Sequence, residues 1–369
     1  MARYAHITGW GMAIPQKVLT NSDLEKMVET SNEWIVSRTG ISERRIAAEN
    51  DSSASLAVQA AIKALEVANV HPLDVDLIIV ATSSPEHIFP ATACIVQDQI
   101  GAKRAGAFDL SAACTGFIFA LDMAAAAIRS GSVNTVLVIG AETLSRFVDW
   151  SDRNTCILFG DGAGAFVLQA SEEFGGILSG VMRSDGSGAE LLTLPAGGSK
   201  MPANLNTVQN GQHFIRMNGR EVFRFATRVM TQATLEVVQK ANLTLQDVQI
   251  IIPHQANQRI IETAAKNLNF PPEKIISNIH RYGNTSTASV PIATCEAIQE
   301  GRLKAGDTVV FVGFGAGLTW GAVLARWSGP LPVKKRVYPR RYRWFARLRS
   351  RLLRLWRRLE GLLWGKNAA

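Results

Sequence analysis

The sequence predicts an α/β protein made of two related halves, followed by a basic appendage. Three observations predict it. Runs of β-branched and apolar residues alternate with amphipathic stretches along most of the chain, the pattern of an α/β fold. Two pairs of strand-like runs also recur at one offset. Asp-Val-Asp-Leu-Ile-Ile at 74–79 and Asp-Val-Gln-Ile-Ile-Ile at 247–252 lie 173 positions apart, as do Thr135–Gly140 and Thr308–Gly313. Generic buried strands can resemble one another, but a shared offset at both pairs argues for a duplicated unit. Finally, charge is segregated. Residues 331–369 hold 13 Lys and Arg against one acid, Glu360, a net of +12, whereas residues 1–330 carry 26 bases and 30 acids, a net of −4. The chain therefore divides into halves at 1–173 and 174–328 and a basic tail at 329–369.

In chain order, the β-branched runs Tyr4–Gly9, Leu77–Thr82, Gly106–Leu110, Thr135–Gly140 and Gly164–Gln169 are strands of the first half. Gln249–Pro253, Thr308–Gly313 and Gly321–Arg326 are strands of the second. Between them, Ser52–Ala68, Cys114–Gly131, Glu221–Ala241 and Ala256–Asn267 carry apolar stripes at helical spacing.

Composition narrows the class. The chain has 369 residues, 47% of them hydrophobic, enough for a large core. Cys94, Cys114, Cys156 and Cys295 are far apart and fit no zinc or disulfide spacing, which suits reduced thiols in a cytoplasmic setting. No signal peptide precedes the first strand, and no apolar run is long enough to span a bilayer.

A pseudo-twofold between the halves would bring strand ends and helix starts together near the middle, where chemistry collects. Cys114 stands at such a place, where the run to Leu110 gives way to small residues and then an apolar helix. A thiol at the head of a helix feels the positive end of the macrodipole, which favours thiolate and suits a nucleophile. Packing is the competing reading, because free cysteine is among the most buried residue types. The second half adds Pro253-His-Gln-Ala-Asn-Gln-Arg259, Tyr282-Gly-Asn-Thr-Ser-Thr-Ala-Ser289 and Gly313-Phe-Gly-Ala-Gly317. Each puts a polar group or bare backbone just past a strand end. A lone His or Asn could equally cap or pack, and no complete P-loop or dinucleotide fingerprint is present.

Taken together, Ala-Ala-Cys114-Thr-Gly-Phe, His254-Gln-Ala-Asn-x-Arg259, Gly283-Asn-Thr-Ser286 and Gly313-Phe-Gly-Ala-Gly-Leu-Thr-Trp-Gly321 resemble the β-ketoacyl-acyl carrier protein synthase III family. The resemblance runs from about Arg3 to Trp327. It implies a thiolase-like αβαβα five-layer fold from two duplicated halves, in agreement with the common offset. It also implies that Cys114 takes an acyl group from acyl-CoA as a thioester, with the backbone N–H groups of Cys114 and Ala316 as the oxyanion hole. His254 and Asn284 would hold the malonyl thioester oxygen during decarboxylation. The resemblance further implies that Trp34 and Arg153 clamp the adenine, that Arg38 meets a CoA phosphate, and that Asn257 meets the pantetheine. Phe314 would exclude water from the carbanion, or simply pack.

By the same resemblance, Arg224, Gln255, Arg259 and Lys266 face the acidic carrier protein, although any single surface cation can equally be a solvated face. Phe89 would cross a homodimer interface and close the acyl pocket. The implied substrates are an acyl-CoA, with acetyl-CoA the family default, and malonyl-acyl carrier protein. Neither a metal nor a redox cofactor is implied. A related acyl-CoA-dependent acyltransferase or condensing enzyme of secondary metabolism is the alternative.

The tail departs from this family. At about 100° per residue, Trp344, Phe345, Leu348, Leu352, Leu355, Trp356, Leu359, Leu362 and Leu363 share one arc of a helix, with arginines mainly opposite. A basic amphipathic helix with tryptophans reads as an interfacial membrane helix, so residues 334–364 are expected at an anionic membrane surface. Docking on the body or on a partner subunit, or against acidic carrier protein, is the competing reading. Nucleic acid is disfavoured, because phosphate contacts need no apolar stripe.

Overall fold

The computed structural model describes residues 2–331 and 336–363, with side chains as far as Glu360; Lys334, Lys335 and Trp364 of the tail lie outside the described residues. In the first half the main strands are β1 (Tyr4–Ala13), β2 (Leu77–Ala81), β3 (Gly106–Leu110), β4 (Thr135–Glu142) and β5 (Gly162–Ser171). In the second they are β6 (Gly176–Ser184), β7 (Ile250–Pro253), β8 (Thr308–Gly315) and β9 (Thr319–Arg326). The longer helices are α1 (Asn32–Thr39), α2 (Ser53–Ala68), α3 (Thr92–Ile100), α4 (Gly116–Arg129), α5 (Gly219–Lys240), α6 (Gln258–Leu268), α7 (Ser289–Gln299) and α8 (Pro339–Leu363).

Two sheets form, in the orders β1-β5-β4-β2-β3 and β7-β8-β9-β6. The strand pairs singled out by their common offset occupy equivalent places. β2 runs parallel to β4 with Leu77 opposite Val136, and β7 runs parallel to β8 with Ile250 opposite Val309, at the same sequence separation. The duplication is incomplete at the edge. The first sheet ends in β3, whereas β7 has only a single parallel bridge, Ile251 to Ile275, on that side.

Period-two alternation in these strands builds the layers. Val136 and Val138 of β4 and Val309 and Phe311 of β8 face a shared central core filled by α4 and α7. Leu137 and Ile139 point the other way, against α2 and α3. Val310 and Val312 point outward against α5 and α6. The result is five layers, helix–sheet–helix–sheet–helix, and strands covered on both faces are apolar on both. Each fully buried Val, Ile or Leu contributes roughly 1.5–3 kcal/mol.

Helix starts follow local capping chemistry. Ser52 accepts from Ser55 N at the head of α2, and Ser31 accepts from Trp34 N at the head of α1. α8 lies on the outside of the first half, where Ala346 is buried over Gly101 and Tyr342 meets His71 at 4.3 Å. No helix among the described residues is long and apolar enough to cross a membrane.

Candidate active site

The nucleophile candidate sits between two rigid elements. β3 stops at Leu110 and α4 starts at Gly116, and Cys114 lies in the single 3-10 turn Ala113–Thr115 between them. Ala113 has φ +46°, a left-handed conformation uncommon for a residue with a Cβ, so backbone strain is stored beside the thiol. The facing loop comes from the end of β8. A side chain at Gly315 would place its Cβ 2.7 Å from Cys114 N, so only glycine permits this approach. The Thr319 hydroxyl lies 3.0 Å from Ala112 O, 3.0 Å from Ala316 O and 3.1 Å from Thr115 Oγ1, tying the two loops together.

His254 follows β7 directly, and its main-chain N–H donates to Val312 O at 2.8 Å. Its Nδ1 lies 2.7 Å from Ser289 Oγ, the first residue of α7, and its ring meets Phe314 edge-on at 5.3 Å. Nε2 is buried without a hydrogen-bond partner among the described residues. Such an orphan is costly unless another group completes it. Burial pushes the imidazole down to about 3, so the ring is neutral at physiological pH. Asn284 Oδ1 accepts from Ser286 N at 2.8 Å, which leaves the carboxamide NH2 as its donor for the cavity. Main-chain bonds to Leu158 and Gly160 hold Asn284 in place.

Electrostatics at the thiol run against the thiolate expectation. Burial pushes Cys114 up to about 12, the Ser286 hydrogen bond pulls it down less strongly, and the buried Glu142 pushes it up further. Desolvation therefore outweighs the helix start, and the thiol is protonated at rest. Glu142, at the end of β4, is itself raised by burial and is held by Ser83 N, Ser84 Oγ and Thr287 Oγ1.

Cys114, His254, Asn284 and Phe314 line one cavity of about 400 Å³, together with Trp34, Arg38 and Asn257. The Arg153 guanidinium stands over the Trp34 ring at 5.3 Å. Asn257 donates to Arg38 O at 3.0 Å and accepts from Arg259 N at 2.9 Å, capping α6 and fixing it to α1. Cys114 also borders a second cavity of about 460 Å³ with Ala316, Ser286, Leu144, Phe147 and Ile215.

Other expected residues lie apart. Phe89 lines neither cavity and is 84% exposed. Arg224 and Lys266 are exposed on α5 and α6, and Arg224 pairs with Glu221 at 3.4 Å. Arg259 stacks at 5.5 Å on Phe223, which lines the first cavity, so it stands at the rim. Gln255 is a correction. It is buried and its amide is consumed by Pro253 O, Ile276 O and Asn278 N, so its side chain cannot face a carrier protein. Ser289, Ser286 and Glu142 join the site only through the tertiary structure. The two serines lie in the Gly-Asn-Thr-Ser-Thr-Ala-Ser stretch, but no spacing rule links Ser289 to an imidazole 35 positions away.

The chain matches the model of the 3-oxoacyl-[acyl-carrier-protein (ACP)] synthase III family at residues 108–186 and that of its C-terminal part at 238–327. It is 56% identical over 322 residues to a beta-ketoacyl-[acyl-carrier-protein] synthase III from Symbiobacterium thermophilum, covering 87% of this chain and 98% of the relative. A relative of the same name from a Roseiflexus species is 48% identical, covering 89% of this chain and 100% of its own. The crystal structure of 3-oxoacyl-[acyl-carrier-protein] synthase III from Aquifex aeolicus superposes with a TM-score of 0.81 at 52% identity, covering 88% of this chain and 100% of that one. All three cover nearly the whole relative.

Proposed function

The chain belongs to the beta-ketoacyl-[acyl-carrier-protein] synthase III family, and from that premise we propose how its site carries out the initiating condensation of fatty-acid synthesis. The enzyme is an acyltransferase that joins an acyl-CoA primer to malonyl-acyl carrier protein with loss of carbon dioxide. Cys114 sulfur attacks the acyl carbonyl, its proton leaves with CoA sulfur, and the acyl-cysteine thioester remains. Because the thiol is protonated at rest, proton loss accompanies attack. N–H donors at Cys114 and Ala316 oppose the negative charge that develops on the carbonyl oxygen.

In the second step the malonyl thioester oxygen sits between His254 Nε2 and the Asn284 NH2. With Ser289 Oγ–H donating to Nδ1, the ring proton is on Nε2 and can be donated. A neutral donor pair stabilises the enolate as carbon dioxide departs, and the enolate carbon attacks the acyl-cysteine carbonyl. Cys114 sulfur leaves and the 3-oxoacyl product remains on the carrier protein. The negative charge of the malonyl carboxylate ends on the departing Cys114 sulfur, which takes one proton from water to restore the thiol, and no step changes an oxidation state.

The observation that carries this reading is the buried, partnerless Nε2 of His254 in the same cavity as Cys114 and Asn284. Acetyl-CoA is the proposed primer. Trp34, Arg38, Arg153 and Asn257 would bind CoA, Phe314 would exclude water, and Arg224, Arg259 and Lys266 would meet the carrier protein. A homodimer is proposed because Ile88 and Phe89 are 83% and 84% exposed and β3 ends its sheet with an open edge. The cytoplasm is the proposed location, with the tail at a membrane surface.

The test is incubation with several acyl-CoAs and malonyl-carrier protein, followed by mass analysis of enzyme and product. An acyl adduct on Cys114, release of carbon dioxide and a 3-oxoacyl product are expected. Asn284→Ala should keep the adduct but lose about 10²–10³-fold in condensation, the usual effect of removing one such donor. An adduct transferred without loss of carbon dioxide would replace this reading with the secondary-metabolism acyltransferase.

A further inference from the structure

A helix that docks on a protein for stability turns its apolar face inward. α8 does the reverse. Tyr342, Ala346, Ser350 and Arg354, spaced by four, form the row against the body. Ser350 donates to Asp98 at 2.8 Å, Arg354 reaches Asp98 at 3.4 Å, and Arg340 pairs with Glu66 at 2.9 Å. About half a turn away, Trp344, Leu348, Leu352, Leu355, Trp356 and Leu359 are 45–65% exposed. Leaving that stripe in water is unfavourable, because apolar surface gains stability on leaving water, so the arrangement calls for a cover.

We propose that α8 is a docking surface for an anionic lipid bilayer, presented by its polar face and bound through its apolar one. Residues 339–363 contain nine arginines and one acid, Glu360, so the stripe is rimmed by positive charge. At about 100° per residue Arg349 lies on one flank of it and Arg351 and Arg358 on the other. Apolar side chains enter the headgroup boundary while the flanking guanidinium groups meet lipid phosphates, and tryptophans suit that depth. A second copy of α8 offers poor complementarity, since joining two stripes would bring like-charged rims together.

The geometry also fixes an orientation. α8 lies against α2 and α3, the outer layer of the first half, whereas Arg224, Arg259 and Lys266 stand on α5 and α6, the opposite outer layer. A bilayer on α8 therefore leaves the cavity rim open to a carrier protein. The match to the family's C-terminal model ends at residue 327, before α8 begins, and the relatives reported above cover 87–89% of this chain. The inference rests on the peripheral placement proposed above and uses no step of the condensation.

The full chain should be tested by co-sedimentation with phosphatidylglycerol-containing vesicles and with pure phosphatidylcholine vesicles. At least about tenfold stronger binding to the anionic vesicles is expected, falling with salt, together with a blue shift of tryptophan emission. The combined variant Trp344→Ser, Leu352→Ser, Trp356→Ser should lose vesicle binding while keeping its circular dichroism and wild-type turnover. Equal binding of variant and wild type would overturn the proposal, as would no vesicle binding by the wild type. Lipid-free self-association abolished by the same variant would overturn it in favour of a second copy. Normal vesicle binding with absent turnover would instead count against the condensation chemistry alone.

Discussion

At His254 a single ring shows how burial sets protonation. Its folded value of about 3 lies below the 6.5 of an exposed histidine. Above pH 6.5 neither the folded nor the unfolded chain binds this proton. As pH falls from 6.5 toward 3, the unfolded chain takes it up and the native state does not, so stability drops on acidification. The loss from this residue is about 2 kcal/mol at pH 5. Chemical denaturation of wild type and His254→Gln at pH 7.5 and pH 5 should show a smaller acid loss in the variant. Equal losses would mean that His254 does not carry the shift. The same neutrality serves the chemistry, because a neutral imidazole donates to an oxygen without adding a charge to the pocket. Cys114 obeys the same rule from the other side: burial keeps the thiol protonated until a thioester is there to receive the electron pair.

Among elements, α8 differs in kind from the helices of the body. α2 and α5 are held by broad apolar faces, whereas α8 is held by the small side chain of Ala346 over Gly101 and by polar contacts to Asp98. Exposed ion pairs of that sort contribute about 0–1 kcal/mol each, so the helix should open more readily than the core. Ala346→Phe overfills the contact at a cost of about 1–3 kcal/mol. Hydrogen exchange in α8 should quicken while exchange in α2 and turnover stay as in wild type, since α8 lines neither cavity at Cys114. Unchanged exchange in α8 would show that Ala346 does not anchor it. β6 and α3 are among the elements that lie outside the periodic runs of the sequence. β6 opens on glycine and carries a second one at Gly180, and α3 is only nine residues long, so neither gives a sustained periodic signal.

For the whole molecule, the duplicated architecture brings Cys114 from one half and His254 and Asn284 from the other to one cavity, while Phe89 lines neither cavity and stays exposed. The homodimer proposed above would give that side chain a destination. Phe89→Asp should weaken self-association at least about thirtyfold by analytical ultracentrifugation, the loss of one central apolar anchor. An unchanged dimer constant would exclude Phe89 from the interface. The α/β class, the repeated strand pairs, most strand and helix positions and the motifs around Cys114, His254 and Asn284 were legible in the chain order, because periodicity and turn chemistry are local properties. So was the amphipathic character of the tail. What required the tertiary structure was everything set by distant neighbours: the Ser289 partner of His254, the burial that removes Gln255 from the surface, the direction of the Cys114 shift, and the face by which α8 docks. Desolvation and hydrogen-bond completion depend on which atoms surround a group in space, and residues far apart along the chain supply those atoms.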